Sequence, residues 1–340
     1  MAELWSTGLC PWLTEPLARL DQARTEGHLS HAWLLAGPRG IGKTNLAYTL
    51  ADRVLRPTSD APAVLDARRA AQAMQARHAE TNHHPDMHYL TPAIDKRSIS
   101  VEQVREAIGT LELTSLGGVA KALIVEPAEA MTLPAANALL KTLEEPTPST
   151  YFFLVSHQPG FLPATVRSRC QLFPLTPPPT SLALDWLSDG LEPEVRAQFS
   201  ALLNLTRGAP LRALALYESG LIHLNSDLEK QFNNISNRKV DPQTVADQWL
   251  KNDPAVLLEW LSIRLEWAIK SRLAPDAWTP VTDFGSDTLH NTWRGLTLRA
   301  LFERRQSARV LLGQVGGGVN LDLALRVLIL GFSPEVGTFE

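Results

Sequence analysis

Residues 37–44 constrain the fold of this chain more than any other segment. They read Gly-Pro-Arg-Gly-Ile-Gly-Lys-Thr and fit the phosphate-loop pattern G-x-x-x-x-G-K-[ST]. Residues 32–36 before the loop are typical of a buried strand, and residues 44–55 after it are typical of a helix. A strand, a glycine-rich turn and a helix in this order predict a βα unit whose turn holds a phosphate group.

The side chains of the loop indicate which phosphate compound it would hold. Glycines let several backbone N–H groups converge on phosphate oxygens, a lysine ammonium supplies positive charge, and a hydroxyl can bind Mg²⁺. The sequence therefore predicts a site for ATP and Mg²⁺. The residues of this site are Gly37, Gly40, Gly42, Lys43 and Thr44.

Length and charge limit the classes of protein to which the chain can belong. Its 340 residues predict two or three domains, each large enough to bury a core. The net charge of −4 and the pI near 6.2 argue against a protein whose main task is to coat nucleic acid. Any contact with DNA is therefore expected to be limited or shared with partners.

Cysteine usage and hydropathy predict a cytoplasmic protein that does not enter a membrane. Cys10 and Cys170 are far apart and form no C-x-x-C pair, so neither a disulfide framework nor a zinc module is expected from them. No run of about 18 apolar residues occurs, and the first residues lack the charged and apolar regions of a secretory signal.

The first half of the chain alternates between strand and helix patterns, which predicts a mostly parallel sheet with helices on both faces. A capping-box pattern opens a helix at Ser100, and apolar residues three and four apart indicate another helix over residues 133–143. The candidate strands are residues 32–36, 87–90, 122–125, 152–155 and 171–174.

Prolines mark the end of this α/β half. Residues 174–179 contain four prolines and cannot continue a helix or a sheet, so a domain boundary is expected there. Short helical patterns follow, and after a polar break over residues 233–241 longer amphipathic helices extend to residue 330. We therefore predict an α/β domain over residues 1–175, a three-helix lid over 176–222 and an all-α domain over 223–340.

The candidate strand over residues 122–125 ends in Glu126-Pro127, which bears on hydrolysis. In phosphate-loop ATPases with an Asp-Glu pair at this position, the aspartate serves the metal and the glutamate serves the attacking water. Glu126 takes the first position and can serve Mg²⁺, whereas Pro127 has no group that could polarise water. Glu129, three residues on, is an alternative base, but the sequence favours nucleotide binding without turnover.

Residues 137–146 read Asn-Ala-Leu-Leu-Lys-Thr-Leu-Glu-Glu-Pro, and a strand and Ser168-Arg169-Cys170 follow. This combination resembles the clamp-loader branch of the AAA+ ATPases, as found in bacterial DNA polymerase III. The resemblance covers residues 11–217 well and the rest only by pattern. With Pro127 at the strand end, it is closer to a subunit without turnover than to the motor subunit called gamma or tau. It implies an AAA+ domain, a lid and a C-terminal helical collar for oligomerisation.

The resemblance also implies roles for individual residues. Arg169 would be an arginine finger that acts in trans on ATP bound by an adjacent motor subunit. The implied partners are gamma or tau and delta subunits, with the sliding clamp and primed DNA reached through the complex. Asn137, Lys141 and Glu144 share one helix face, which is either an inter-subunit or DNA-facing surface or a solvated face.

Three departures from the family pattern are informative. The cysteine zinc module of many relatives is missing from residues 64–84, and His78, His83, His84 and His88 suit no standard tetrahedral set, so no zinc is predicted.

His157 stands where related ATPases usually have a threonine or asparagine that senses the γ-phosphate. Leu211 stands where motor subunits have their lid arginine, and Arg212, one position late, is expected to miss the phosphate loop.

Three functions remain open from the sequence. The first is a subunit that does not hydrolyse ATP, closes a clamp-loader ring and supplies Arg169 to a neighbour. The second is a working AAA+ motor that uses residues 37–44 with Glu126 and Glu129. The third is a scaffold that binds partners through its C-terminal helices and uses no nucleotide.

Overall fold

The computed structural model describes residues 9–56, 84–93, 96–113, 115, 119–274, 292–315 and 320–333. The chain divides into two compact units. Unit 1 contains the described residues within Met1–Leu187 together with Ala209–Arg212, and unit 2 contains those within Ser188–Gly208 and Ala213–Glu340. The division into three domains at residues 175 and 222 stays a prediction.

Unit 1 is built on a five-stranded sheet in which every pairing is parallel. The strands lie in the order β2-β3-β4-β1-β5, so β1 lies between β4 and β5, and the phosphate loop leaves from its carboxyl end. The predicted α/β fold class is confirmed, and all five candidate strands are present. Their bounds are β1 Ala32–Ala36, β2 Met87–Leu90, β3 Lys121–Val125, β4 Thr150–Ser156 and β5 Gln171–Pro174.

Apolar cores cover both faces of this sheet. Along β1, Leu34 packs into one core cluster, while Trp33 and Leu35 pack into the other. β1 and β3 are buried along their whole length, as expected for parallel strands between two helical layers. The helices of unit 1 are α1 Thr14–Thr25, α2 Lys43–Leu55, α3 Val101–Glu112, α4 Leu133–Glu144, α5 Ala164–Arg167 and α6 Thr180–Leu187.

Local capping signals fix where two of these helices begin. The Ser100 side chain accepts from the Gln103 backbone N–H, and the Gln103 side chain accepts from the Ser100 N–H, so the predicted capping box is present. The Thr132 side chain accepts from the Ala135 N–H at the start of α4. α4 is the helix that carries the family-like sequence.

Unit 2 is helical throughout the residues that the structure describes. The predicted polar break over residues 233–241 is too wide, because α9 continues to Ser236 and only a short turn separates it from α10. The reason is burial: Phe232 and Ile235 pack in the core and outweigh the weak helix propensity of the asparagines between them. The remaining helices are α7 Pro193–Leu205, α8 Pro210–Glu218, α9 Leu221–Ser236, α10 Pro242–Lys251, α11 Pro254–Leu273, α12 Leu298–Leu312 and α13 Leu321–Leu330, of which α8 begins in unit 1.

A cluster of aromatic rings forms the centre of unit 2. Phe232 is fully buried, and its ring lies 4.8–5.9 Å from the centroids of four other rings. The spacing and the edge-on or stacked angles are those that aromatic pairs prefer. The four rings belong to Trp249, Trp260, Trp293 and Phe332.

An ion-pair network also joins distant segments of unit 2. Glu266 on α11 pairs with Arg207, with Lys270 at 2.9 Å and with Arg305 at 2.7 Å. Burial alone would raise the pKa of Glu266, but hydrogen bonds and positive charge from Lys270 and Arg207 lower it to about 2. Arg207 lies in the predicted lid and Glu266 in the predicted collar, so the two segments are fastened within unit 2.

Candidate nucleotide site and arginine motif

Three glycines shape the phosphate loop between β1 and α2. Gly40 and Gly42 have φ values of +82° and +89°, in the left-handed region that other residues rarely adopt. A Cβ on Gly37 would lie 2.2 Å from the backbone oxygen of Leu175. The loop therefore needs glycine at positions 40 and 42 for the left-handed backbone conformation. It needs glycine at position 37 because there is no room for a side chain.

Lys43 lies folded back onto the loop. Its Nζ donates to the backbone oxygens of Gly37 at 2.8 Å and Pro38 at 2.6 Å. Burial lowers the pKa of Lys43 to about 8, against the opposing effect of the carboxylates of Glu126 and Glu129. An anion placed in the loop would compensate the buried ammonium more fully than two carbonyl dipoles do.

Glu126 is placed beside the loop, as the sequence indicates, and both of its oxygens are engaged. The Thr44 hydroxyl donates to Oε1, and the Tyr89 hydroxyl donates to Oε2. Sequence reasoning missed Tyr89, because its place on the candidate strand over residues 87–90 does not give the register of that strand on β3. Tyr89 pairs in register with Ile124 of β3, two residues before Glu126, so its side chain reaches the same edge of the sheet. Burial, followed by the Glu126 charge, raises the pKa of Tyr89.

Glu129 faces the end of β4. Its Oε1 accepts from the backbone N–H groups of His157 at 2.9 Å and Gln158 at 3.2 Å. Its Oε2 is buried and has no hydrogen-bond partner among the described residues, and the same holds for Ser156 Oγ and His157 Nδ1. Buried polar atoms without partners carry a free-energy cost, which a polar ligand or ordered water would relieve.

These observations fit a Mg²⁺–triphosphate group. The glycine loop leaves no room for side chains, Lys43 is buried without a charged hydrogen-bond partner among the described residues, and Thr44 and Glu126 bring a hydroxyl and a carboxylate together. Orphaned polar atoms of Ser156 and Glu129 lie at the ends of neighbouring segments. A hydroxyl next to a carboxylate is the donor set that Mg²⁺ takes in phosphate-loop proteins.

His157 is held neutral in these surroundings. Burial is the main cause, and the positive charge of Lys43 adds to it, so that the pKa of His157 falls to about 4. Arg39 and Arg212 act in the same direction, whereas Glu129 opposes them. At neutral pH the imidazole is therefore an uncharged donor and acceptor directly after β4.

Arg212 contacts the loop through its main chain and Cβ, a contact that the expectation from helix geometry did not include. A Cβ built on Gly40 would lie 2.7 Å from Arg212 Cβ and 2.8 Å from its backbone nitrogen, so the two residues touch. The Leu211 N–H also donates to the Gly40 oxygen at 2.9 Å. Helix α8 begins at Pro210, so this backbone hydrogen bond holds the first turn of the helix against the loop. An argument from the rotation per helical residue does not include such a bond.

A substitution at Gly40 tests this close approach. Gly40→Ala would strain a left-handed residue and force the main chain of Arg212 away, so unit 1 should lose about 1–3 kcal/mol more than from the strain alone. Urea unfolding of the purified variants measures the loss. Gly27→Ala is the matched control, because Gly27 has φ +73° and nothing within 4 Å of its Cβ position. Equal losses in the two variants would contradict the contact.

The arginine of the Ser168-Arg169-Cys170 motif lies just after α5 and is partly exposed. Arg169 Nε lies 2.5 Å from Glu144 Oε1, and Nη2 donates to the same oxygen. Nη1 donates to the backbone oxygen of Thr165 at 2.9 Å. The sequence predicts an arginine directed at another chain, and the pairing with Glu144 is a feature that it did not reveal.

The predicted face of α4 is present. Asn137, Lys141 and Glu144 are all exposed, while Leu139 and Leu143 between them are buried in the core of unit 1. The shared face is therefore available to a partner or to solvent, and the two interpretations of it remain as the sequence left them.

No group of three or more metal-ligating side chains occurs among the residues that the structure describes. His78 and His83 lie outside those residues, so the prediction of no zinc stays a prediction. His84 and His88 are described, and the pKa of His88 is lowered mainly by burial. Within the described ranges, no helix has the length and apolar character needed to span a lipid bilayer.

Comparisons with known proteins identify the family of the chain. Residues 13–179 match the family model described as DNA polymerase III, delta subunit. A DNA polymerase III subunit delta' from Pseudomonas aeruginosa is 36% identical over 233 residues, which are 68% of this chain and 69% of that protein. The proteins of that name from Yersinia pestis and Haemophilus influenzae are 36% and 31% identical, over 76% and 94% of this chain and 76% and 95% of their own length. The chain therefore belongs to the DNA polymerase III subunit delta' family.

Proposed function

We propose that this chain is a cytoplasmic subunit of a DNA polymerase III clamp loader that does not hydrolyse ATP itself. It supplies Arg169 to the ATP site of a neighbouring gamma or tau motor subunit, assembles with a delta subunit, and helps to load the sliding clamp on primed DNA. The observation that carries this proposal is a contrast: Arg169 is accessible at the surface of unit 1, while Pro127 occupies the position of the water-activating residue.

The chemistry of the site supports nucleotide binding without turnover. The loop glycines and Lys43 would hold the phosphates, and Thr44 with Glu126 would hold Mg²⁺, which neutralises phosphate charge when bound. Proline has no side-chain acceptor for a water proton, so it cannot orient an attacking water. Glu129 Oε1 is already fixed by the backbone N–H groups of His157 and Gln158.

A nucleotide titration paired with a turnover assay on the purified chain tests this part of the proposal. ATP should bind and raise the melting temperature, with about 2.7 kcal/mol of stabilisation at 100 times the dissociation constant, while phosphate release stays at background. Lys43→Ala should abolish the stabilisation, because the loop loses its ammonium. An absence of stabilisation at millimolar ATP would favour the scaffold function instead.

The motor function has support from Glu129, whose Oε2 has no hydrogen-bond partner among the described residues and whose charge interacts with that of Lys43. If this oxygen activates water, the isolated chain will hydrolyse ATP. Glu129→Gln would then abolish turnover and leave ATP binding intact. Brisk turnover with this pattern would replace the proposed function by the motor function.

The pKa of Lys43 gives ATP binding a definite pH dependence. The free site loses its Lys43 proton as pH rises through about 8, whereas triphosphate would hold the proton to higher pH. Affinity for ATP should therefore fall by up to tenfold for each pH unit above 8, with uptake of close to one proton. Calorimetry at pH 9 in two buffers of different ionisation enthalpy counts that proton. A flat affinity between pH 7.5 and 9.5 would contradict the prediction.

A further inference from the structure

The guanidinium of Arg169 is held by contacts from within its own chain. Glu144 is the last residue of α4, and its Oε1 accepts a hydrogen bond from Arg169 Nε at 2.5 Å and another from Nη2. The backbone oxygen of Thr165 accepts a hydrogen bond from Nη1 at 2.9 Å. Ser168 Oγ lies 3.4 Å from the same nitrogen, at the limit of a hydrogen bond. Nitrogens along both edges of the side chain are thus anchored.

These contacts leave part of the group available. A guanidinium has five N–H bonds, and Glu144 and Thr165 take one from each of its three nitrogens. Among the described residues, one N–H therefore remains on each terminal nitrogen, and only the long Ser168 contact competes for one of them. Two N–H bonds on neighbouring nitrogens match the spacing of two phosphate oxygens. A third of the Arg169 side chain is exposed, so an acceptor outside the chain can reach it.

Stability alone does not account for Glu144 at this place. A carboxylate in the last turn of a helix faces the negative end of the helix dipole, which disfavours it. The Glu144 side chain is half exposed, and ion pairs exposed to water contribute little to folding stability. What the pair does supply is order, because an arginine that samples many rotamers loses conformational entropy when it is fixed.

We propose that Glu144 is a positioning residue that holds Arg169 in the conformation in which it reaches the phosphate of an adjacent subunit. The inference rests on the proposed function of Arg169. The residue that orients Arg169 would then belong to α4 and not to the Ser168-Arg169-Cys170 motif. Helix α4 would therefore contribute to the interface with the adjacent subunit. By fixing the side chain in advance, Glu144 would reduce the entropy lost when the transition state forms.

The test uses the reconstituted clamp loader with primed DNA and sliding clamp. Glu144→Ala should lower the kcat of the DNA-stimulated ATPase about threefold to thirtyfold at the interface that receives Arg169, with KM for ATP unchanged within twofold. Glu144→Gln should restore most of the rate, because its amide oxygen still accepts two N–H bonds. Glu145→Ala is the matched control, as Glu145 is an exposed glutamate one position along.

Combining the variants separates this inference from the proposed function. In a ring with Arg169→Ala, adding Glu144→Ala should change nothing more, because the residue to be positioned is gone. A further fall in the double variant, or a Glu144→Gln ring as slow as the Arg169→Ala ring, would overturn the positioning role. So would a Glu144→Ala ring as fast as wild type while Arg169→Ala is slow. An Arg169→Ala ring with normal activity would overturn the proposed function itself.

Discussion

Replacing Arg169 with alanine should remove most of the ATP turnover at one interface of the clamp loader while the ring still assembles. Arginines that reach a transferring phosphate from a neighbouring subunit accelerate the reaction by about 10³–10⁵ in other phosphate-loop proteins. The total rate of the ring would therefore fall by the share of that one site. Steady-state and pre-steady-state phosphate release in the presence of clamp and primed DNA measure the loss.

Arg167 provides a control for this experiment. It is exposed, carries the same charge and lies two residues before Arg169 in the same segment. Arg167→Ala should leave the rate of phosphate release near wild type, because we expect the effect of Arg169→Ala to come from a lost contact with phosphate and not from a general loss of positive charge. Assembly of each ring is checked by gel filtration. Wild-type turnover in an assembled Arg169→Ala ring would remove the main support for a role in trans.

Phe232→Ala is expected to cause the largest loss of folding stability. The side chain is fully buried and touches four aromatic rings, so the substitution removes apolar contacts and leaves a cavity that rigid rings cannot fill. We expect the free energy of unfolding of unit 2 to fall by about 3–5 kcal/mol. Urea unfolding followed by tryptophan fluorescence measures the loss, because three of the nine tryptophans of the chain lie in the cluster.

Two further variants separate packing from chemistry in this cluster. Phe232→Leu keeps an apolar side chain of similar volume and should lose only about 1–2 kcal/mol. Phe302→Ala removes the same ring from a site that is 47% exposed, and its effect should stay within about 0.5 kcal/mol. If Phe232→Ala and Phe302→Ala were equally stable, the aromatic cluster would not be the structural centre of unit 2.

Local sequence signals predicted the elements of unit 1 well. The strands around the phosphate loop are short and continuously apolar, and the glycines, the capping box and Pro127 each act within a few residues. The places where prediction failed involve tertiary contacts. The helix through Asn233 continues because Phe232 is buried, and Arg212 approaches Gly40 because the neighbouring Leu211 N–H donates to the Gly40 oxygen. Helix propensity and hydrophobic periodicity depend on nearby residues in the sequence, so they predict neither of these two contacts.

The candidate site divides in the same way. Residues 37–44 and Glu126 could be assigned from spacing, because the motif itself encodes the turn and the strand end. Tyr89 and Glu144 could not, since each contacts a residue 25 or more positions away in sequence. Only the register of β2 on β3 places the phenol beside the carboxylate, and only the packing of α4 on α5 places Glu144 beside Arg169.

The phenol of Tyr89 has an evolutionary consequence. A mutation that placed glutamate at position 127 would put the new side chain next to Glu126, whose two oxygens already receive the hydroxyls of Thr44 and Tyr89. Removing Tyr89 first would leave Glu126 Oε2 without its donor and would bring no benefit by itself. A lineage that keeps Tyr89 therefore keeps Glu126 fixed by two hydroxyls, and a glutamate introduced at position 127 would stand beside a carboxylate whose two oxygens are already engaged.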